Sequence, residues 1–402
     1  MHLHNFDSAA FLRDYWQKKP LLIRNPWGRW KNPLEPDEMA GLACEPEVES
    51  RIVVQTGGAS PERWTLEHGP FDADRFAGLE EAPWTLLVQA VDQFVPEVAA
   101  LVEPFRFVPD WRIDDVMVSY AVDGGGVGAH YDQYDVFLIQ GLGRRRWRIG
   151  SVCGSDSPLV PHDDLRLLAR FEATAEWVLE PGDILYLPPG VAHHGIAVGD
   201  DCMTYSVGFR APARSELIAD WCDHLLETMP DDDRYADPDL AAQANPGEIA
   251  PAALERLRAM IAEKLLDPAA FARWFGCYSS TPKYPEAMEQ PEAPVAPDAV
   301  RARLADGEAL LRNPASRFSF VRAGAGAVVL FADGESFECP ADCAPLAERI
   351  CATPLWAPID AQSLSGAAIR LIVRLIDQGS LVFEADYEDD ADEEADADGG
   401  WE

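Results

Sequence analysis

Gly124-Gly-Gly-Val-Gly-Ala-His130-Tyr-Asp132-Gln-Tyr-Asp-Val-Phe-Leu-Ile-Gln140 is the segment on which the fold turns. A glycine cluster of this kind can cradle a phosphate, but no Gly-Lys-Ser/Thr comes after it and no helix signal begins there. The residues beyond the cluster are strand-like, and on a strand residues i and i+2 share a face. His130 and Asp132 therefore point the same way, an imidazole and a carboxylate set for adjacent corners of a metal octahedron. The third ligand has to come from elsewhere. With only eight histidines in the chain, the best donor lies 63 residues on, in Pro181-Gly-Asp-Ile-Leu-Tyr-Leu-Pro188-Pro-Gly190-Val-Ala-His193-His194-Gly195. There a buried strand runs into a rigid Pro-Pro-Gly corner that holds a loop ligand in place. Two histidines and one carboxylate on a β scaffold make the facial triad of non-haem Fe(II) oxygenases, with three positions left for co-substrate and oxygen. Either His193 or His194 completes the set; strand geometry does not separate them.

The run Gly143-Arg144-Arg145-Arg146-Trp147-Arg148-Ile149 adds the next piece. On a strand, Arg144, Arg146 and Arg148 share one face while Arg145, Trp147 and Ile149 share the other, apolar one. A guanidinium on the inner side is costly without an anion, and its planar fork suits a carboxylate. Beside a ferrous site that anion is the distal carboxylate of 2-oxoglutarate. Ser119, on the strand entering the glycine cluster, can add a hydroxyl hydrogen bond.

Around this centre the composition sets bounds. The chain has 402 residues, too many for one ordinary core, with 69 acids against 33 Lys and Arg and a formal charge of −36. That balance excludes a bulk electrostatic grip on DNA, RNA or anionic lipid and leaves a basic protein partner open. The apolar fraction of 48%, with twelve Trp, is that of packed cores. The longest uncharged apolar-and-glycine run, Ala323 to Ala332, is too short for a membrane span. The first residues do not read as a secretory signal, and eight irregularly spaced Cys read as reduced cytoplasmic thiols. Cys339, Cys343 and Cys351 lack the fourth ligand of a zinc site.

From Phe11 to about Arg210, short Val-, Ile- and Trp-rich runs broken by turns predict a β-sandwich or barrel. After Pro212 the period changes. Leu217, Ile218, Trp221, Cys222, Leu225, Leu226 and Met229 form one helical stripe, and Leu254, Leu257, Met260, Ile261 and Leu265 a second, both wide enough to need covering. Lys283 to Pro297 reads as a Pro- and Glu-rich linker. Beyond it the pattern predicts a helix over Asp298 to Leu311 and strands at Phe318 to Val321 and Val328 to Phe331. A turn at Asp333-Gly334, a helix over Gly366 to Ile376 and a strand at Leu381 to Phe383 complete that module. Its candidate recognition helix offers only Arg370 and Arg374, which argues against direct DNA binding. The last nineteen residues hold eleven acids and no base, the composition of a disordered tail.

Together with the His-x-Asp segment and Arg144-Arg145-Arg146-Trp147, two further motifs carry a resemblance. They are Phe11-x-x-x-Tyr15-Trp16-x-Lys18-Lys19-Pro20-Leu21-Leu22-Ile23 and Tyr205-Ser206-Val207-Gly208-Phe209-Arg210. The chain resembles the bacterial JmjC-type ribosomal oxygenases, most of all the arginine hydroxylases of the sixteenth large-subunit ribosomal protein. The resemblance implies an α+β multidomain protein. Residues 1–211 would form a JmjC, cupin-like double-stranded β-helix, and 212–282 a helical dimerisation region. Residues 283–297 would be a linker, 298–383 a winged-helix-like domain and 384–402 a disordered acidic tail. It implies Fe(II) with 2-oxoglutarate and O2 as co-substrates, and His193 rather than His194 beside His130 and Asp132. Arg145 and Ser119 become the 2-oxoglutarate contacts, and Asp123 the acid that meets a substrate guanidinium. The expected protein is a cytoplasmic homodimer acting on a basic ribosomal protein. The alternatives are the same chemistry on a histidine of another ribosomal protein and a cupin-like metal-binding protein without turnover. The second of these would not need Arg145 on the inner face.

Overall fold

The computed structural model describes residues 2–56, 64–79, 82–285, 288, 290–291, 293–353, 355–356 and 363–386, and the chain divides into two compact units, Met1–Ala211 and Pro212–Glu402. The acidic tail beyond 386 and part of the linker lie outside the described residues.

In the first unit the strands, in chain order, are β1 (Leu21–Ile23), β2 (Ser50–Gln55), β3 (Trp64–His68), β4 (Trp84–Val88), β5 (Ile113–Ala121), β6 (Val136–Leu142), β7 (Arg145–Val152), β8 (Ala175–Leu179), β9 (Ile184–Leu187), β10 (Val191–Ala197) and β11 (Cys202–Phe209). Short helices α1 (Ser8–Asp14), α2 (Pro36–Leu42), α3 (Ala73–Ala77) and α4 (Pro96–Ala99) flank them. An eight-stranded sheet runs β1-β9-β6-β11-β5-β4-β2-β3, and a smaller one runs β10-β7-β8. From β5 onward the chain passes repeatedly between the sheets: β5 and β6 lie in the large one, β7 and β8 in the small one, β9 returns, β10 crosses and β11 returns. That winding is a double-stranded β-helix.

Strand alternation explains why both faces of the large sheet are buried. Phe137, Ile139, Tyr186, Tyr205 and Phe209 face one side, where Phe11 of α1 inserts with ring centroids 4.8 Å from Tyr186 and 5.4 Å from Phe137. Their neighbours Val136, Leu138, Leu185 and Leu187 face the other side and meet Trp147, Ile149 and Val191 of the small sheet. This second layer is the barrel interior, and the site lies along it.

The glycine cluster has a packing reason instead of a phosphate. Gly124 N–H donates to Ala197 O, and Ala197 N–H donates to Gly125 O, so the segment lies against β10. A Cβ on Gly126 would stand 2.3 Å from Gly195 O, which only glycine avoids.

In the second unit the helices are α5 (Arg214–Thr228), α6 (Pro251–Leu265), α7 (Pro268–Ser280), α8 (Pro297–Ala305), α9 (Ala344–Ala352) and α10 (Gly366–Asp377). The strands are β12 (Leu310–Arg312), β13 (Phe318–Arg322), β14 (Val328–Ala332), β15 (Glu335–Cys339), β16 (Leu355–Trp356) and β17 (Leu381–Phe383), in two sheets ordered β16-β12-β17 and β13-β14-β15. The helix predicted through Leu311 instead ends at Ala305, because Gly307 takes a left-handed φ of 89° and the apolar Leu310-Leu311 pairs with β17 as a strand. Helix α7 starts from Asp267, whose carboxylate caps Ala269 and Ala270 N–H. On α10, Arg374 is already paired with Glu335 at 3.0 Å.

Candidate active site

His130 sits in an isolated bridge with His193, each backbone N–H donating to the other's carbonyl at 3.0 and 2.8 Å. The segment after it is irregular, with a bend at 133–134, and not the regular strand expected; β6 starts only at Val136. Asp132 is held by its backbone, since Gly190 N–H donates to Asp132 O at 2.7 Å. His193 is the third residue of β10, on a strand and not in a loop; the Pro-Pro-Gly corner supplies the tie to Asp132.

Side-chain hydrogen bonds orient the rings. His130 Nδ1 lies 3.0 Å from Gly128 O, and His193 Nδ1 lies 2.9 Å from Val191 O. A carbonyl only accepts, so each Nδ1 carries the proton and each Nε2 presents a lone pair. His193 Nε2 is 3.6 Å and His130 Nε2 4.0 Å from Asp132 Oδ2, and the three donors lie within 4.8 Å of one another. Adjacent ligands of an octahedral ion at about 2.1 Å stand about 3 Å apart, so a small closure of these side chains completes a metal site. Burial, with His130 beside it, pushes the His193 imidazole down to about 4, which leaves it neutral for coordination. These three are the sole such His/Cys/Asp/Glu cluster among the described residues.

His194 points to the other face of β10. Its ring meets Phe171 edge-on at 6.1 Å, and its register partner is Arg148. Replacing His194 with Asn is therefore expected to leave 2-oxoglutarate turnover essentially unchanged, while the same change at His193 abolishes it; a side-by-side succinate assay checks this.

Arg145 is 3% exposed on the inner face of β7, opposite Ala197 of β10. Its Nε and Nη2 are buried and have no hydrogen-bond partner. An unpaired buried guanidinium costs several kcal/mol. Such an arrangement fits a site that receives an anion. Ser119 faces the same interior from β5, donating weakly to Thr204 O at 3.4 Å, and the contact of Ala121, Ala197 and Cys202 brings its end of β5 toward that of Arg145. Asp123 stands apart from the triad. It is exposed, and its Oδ1 accepts Gly199 N–H at 2.7 Å, just past the end of β10 that leads away from His193.

Other interior groups went unread in the sequence. Thr204 Oγ1 donates to Gln140 Oε1 at 3.2 Å, and Gln140 Nε2 to Leu142 O at 2.7 Å. A polar residue inside a strand buried on both faces was the available signal. The long segment between β7 and β8 also walls the site: Leu168 N–H donates to Ala129 O, next to His130, and Leu165 and Leu167 pack on Trp64 and Val127.

A double-stranded β-helix with two His and one Asp converging beside a buried, anion-seeking Arg defines a 2-oxoglutarate-dependent oxygenase. Comparison with known proteins agrees. Residues 100–217 match the JmjC domain family and 259–382 the ROXA-like winged helix. The ribosomal protein uL16 3-hydroxylase of Escherichia coli is 43% identical over 330 residues, 82% of this chain and 85% of that protein. The bifunctional lysine-specific demethylase and histidyl-hydroxylase NO66 of Aedes aegypti is 25% identical over 49% of this chain and 32% of its own length. The structure of YcfD, a ribosomal oxygenase from Escherichia coli, in complex with cobalt and 2-oxoglutarate superposes with a TM-score of 0.83 at 38% identity, covering 96% of this chain and all of that one. The chain belongs to the JmjC-domain ribosomal oxygenases. It is an enzyme that uses Fe(II), 2-oxoglutarate and O2. No helix among the described residues is long and apolar enough to cross a membrane.

Proposed function

We propose that this enzyme hydroxylates an arginine side chain of a large-subunit ribosomal protein in the cytoplasm, with iron held by His130, Asp132 and His193. The observation that carries the site reading is the partnerless Arg145 guanidinium on the face that also bears the triad. Iron and 2-oxoglutarate, when bound, supply the oxidation: one oxygen atom enters a C–H bond and the other enters succinate as carbon dioxide leaves. The chain's own residues position the reactants. Arg145 clamps the distal carboxylate of 2-oxoglutarate, Ser119 donates to it, and the two Nδ1–H···O=C bonds keep the histidines aligned. The wall from Val160 to Leu168 keeps water from that edge.

The substrate reading draws on the uL16 3-hydroxylase relative and on charge. Residues 1–383 retain a formal −25, which steers a basic partner toward the enzyme. Asp123, exposed and apart from the triad, is the acid assigned to the substrate guanidinium by likeness to the family. Adding the purified large-subunit protein should raise succinate formation, and Asp123→Asn should raise KM for that protein while leaving KM for 2-oxoglutarate unchanged. No stimulation by the ribosomal protein would count against this substrate. Histidine hydroxylation, the activity named for the distant NO66 relative, would appear in the same assay as oxygen on an imidazole.

The helical region pairs two copies of the chain. Ile218 and Leu226 on α5, with Leu254, Leu257 and Ile261 on α6, are all more than a third exposed, an apolar surface that an isolated monomer rarely carries. Sedimentation should show a dimer, and Leu226→Glu with Ile261→Glu a monomer.

A further inference from the structure

The segment between β7 and β8, residues 153–174, contains no helix or regular strand, yet part of it closes into a small hairpin. Val160 N–H donates to Leu167 O at 2.8 Å, Leu159 and Leu168 form an isolated bridge, and His162 sits at the tip. Both nitrogens of its half-buried imidazole are used. Nδ1 accepts the backbone N–H groups of Asp164 and Leu165, each at 3.1 Å, and Nε2 lies 3.3 Å from Trp64 O at the start of β3. A backbone N–H only donates and a carbonyl only accepts, so the proton is on Nε2, the reverse of the tautomer at His130 and His193. Nδ1 thus closes the hairpin on itself, and Nε2–H ties it to β3.

The two elements so joined bracket one residue. Gly128 has a φ of 83°, and a Cβ there would stand 2.7 Å from Leu167 Cδ2, on the hairpin, and 3.0 Å from Trp64 Cη2, on β3. Gly128 O accepts the His130 Nδ1–H, and the neighbouring Ala129 O accepts Leu168 N–H from the same hairpin. A hairpin lifted from β3 would leave the Gly128 carbonyl free to turn, and the imidazole with it. We propose that His162 is a positioning residue: by latching the hairpin to β3 it fixes the Gly128 carbonyl that orients His130 for the metal. The proposal rests on the reading of His130 as an iron ligand.

His162→Asn isolates the latch. Its Oδ1 can take the place of Nδ1 and accept the same two N–H groups, as in an Asx turn, while the shorter side chain brings no donor to Trp64 O. Groups that orient a metal ligand tune both affinity and activity, so the cobalt(II) Kd, by calorimetric titration, should rise about tenfold. In turnover kcat at saturating iron should fall while KM for 2-oxoglutarate holds, because Arg145 is untouched. Proton NMR of the cobalt-loaded wild type should show the ring N–H signals of both metal histidines displaced by the ion. One should move or broaden in His162→Asn and the other stay, since His193 is held by Val191 O on β10. Leu167→Ala, which keeps the imidazole and removes the hairpin's bearing on Gly128, should repeat both changes. Wild-type cobalt affinity in either variant overturns the proposal even if Tm falls, as do two ring signals that change together. If the wild type shows no displaced pair of ring N–H signals, the ligand reading of His130 fails and the latch with it.

Discussion

Asp132→Ala is expected to give a folded protein that makes succinate from 2-oxoglutarate at a rate lower by on the order of 10³-fold or more, since loss of supporting groups around a metal alone costs 10- to 100-fold. The fold should survive. Asp132 contributes to the surrounding structure through its backbone carbonyl, which accepts Gly190 N–H, and alanine keeps that bond. Its side chain is 23% exposed, so no large cavity is left. Cobalt affinity should fall in parallel, because the two imidazoles at 3.6 and 4.0 Å from the missing oxygen would remain as a bidentate site with no anion. Undiminished turnover in Asp132→Ala would place the iron elsewhere. A wild type that binds metal but makes no succinate would favour the cupin-like binding protein without turnover.

Arg145→Met should separate stability from function. The guanidinium is buried, its Nε and Nη2 unpaired, and replacing buried ionic groups by apolar ones of similar volume is neutral or stabilising by about 1–4 kcal/mol. The variant's Tm without co-substrate is expected to hold or rise by a few degrees. Its KM for 2-oxoglutarate should rise by about 10²-fold or more, because the distal carboxylate would enter an interior with its main cationic partner gone. Arg145→Lys should recover only part of the loss, a point charge replacing a planar fork. Thermal unfolding and succinate kinetics on the same samples check both halves. A variant that is strongly destabilised with unchanged KM would make Arg145 a structural ion.

How much of the site is legible in the sequence depends on how local the physics is. His130 and Asp132 were readable because two residues of extended chain put their side chains on one side, even though the regular strand begins only at Val136. Arg145 was readable because strict alternation through Arg144, Arg146 and Arg148 left it on the apolar face. The choice between His193 and His194 was not local: it depends on which face of β10 meets the barrel interior, and pairing of His193 with inward-facing Ile149 and of His194 with outward-facing Arg148 decides it. The glycine cluster does open with a turn at Asp123-Gly124, but a second constraint on it is backbone against backbone, Gly126 on Gly195, a contact between residues 69 apart in the chain. Helix α7 was missed because its buried side includes Gly276, Ser279 and Ser280 while Phe271 is exposed, so apolar type does not track burial along it. The strand at Leu310 was absorbed into the preceding helix because a short apolar run fits either period.

Arginine hydroxylation itself is tested most directly by mass spectrometry of the purified ribosomal protein substrate after incubation with the wild-type enzyme, Fe(II), 2-oxoglutarate and O2. One added oxygen on a single arginine side chain is expected, absent with Asp132→Ala or without 2-oxoglutarate. An unmodified ribosomal protein in the presence of steady succinate formation, or oxygen found on a histidine instead, would contradict the assignment.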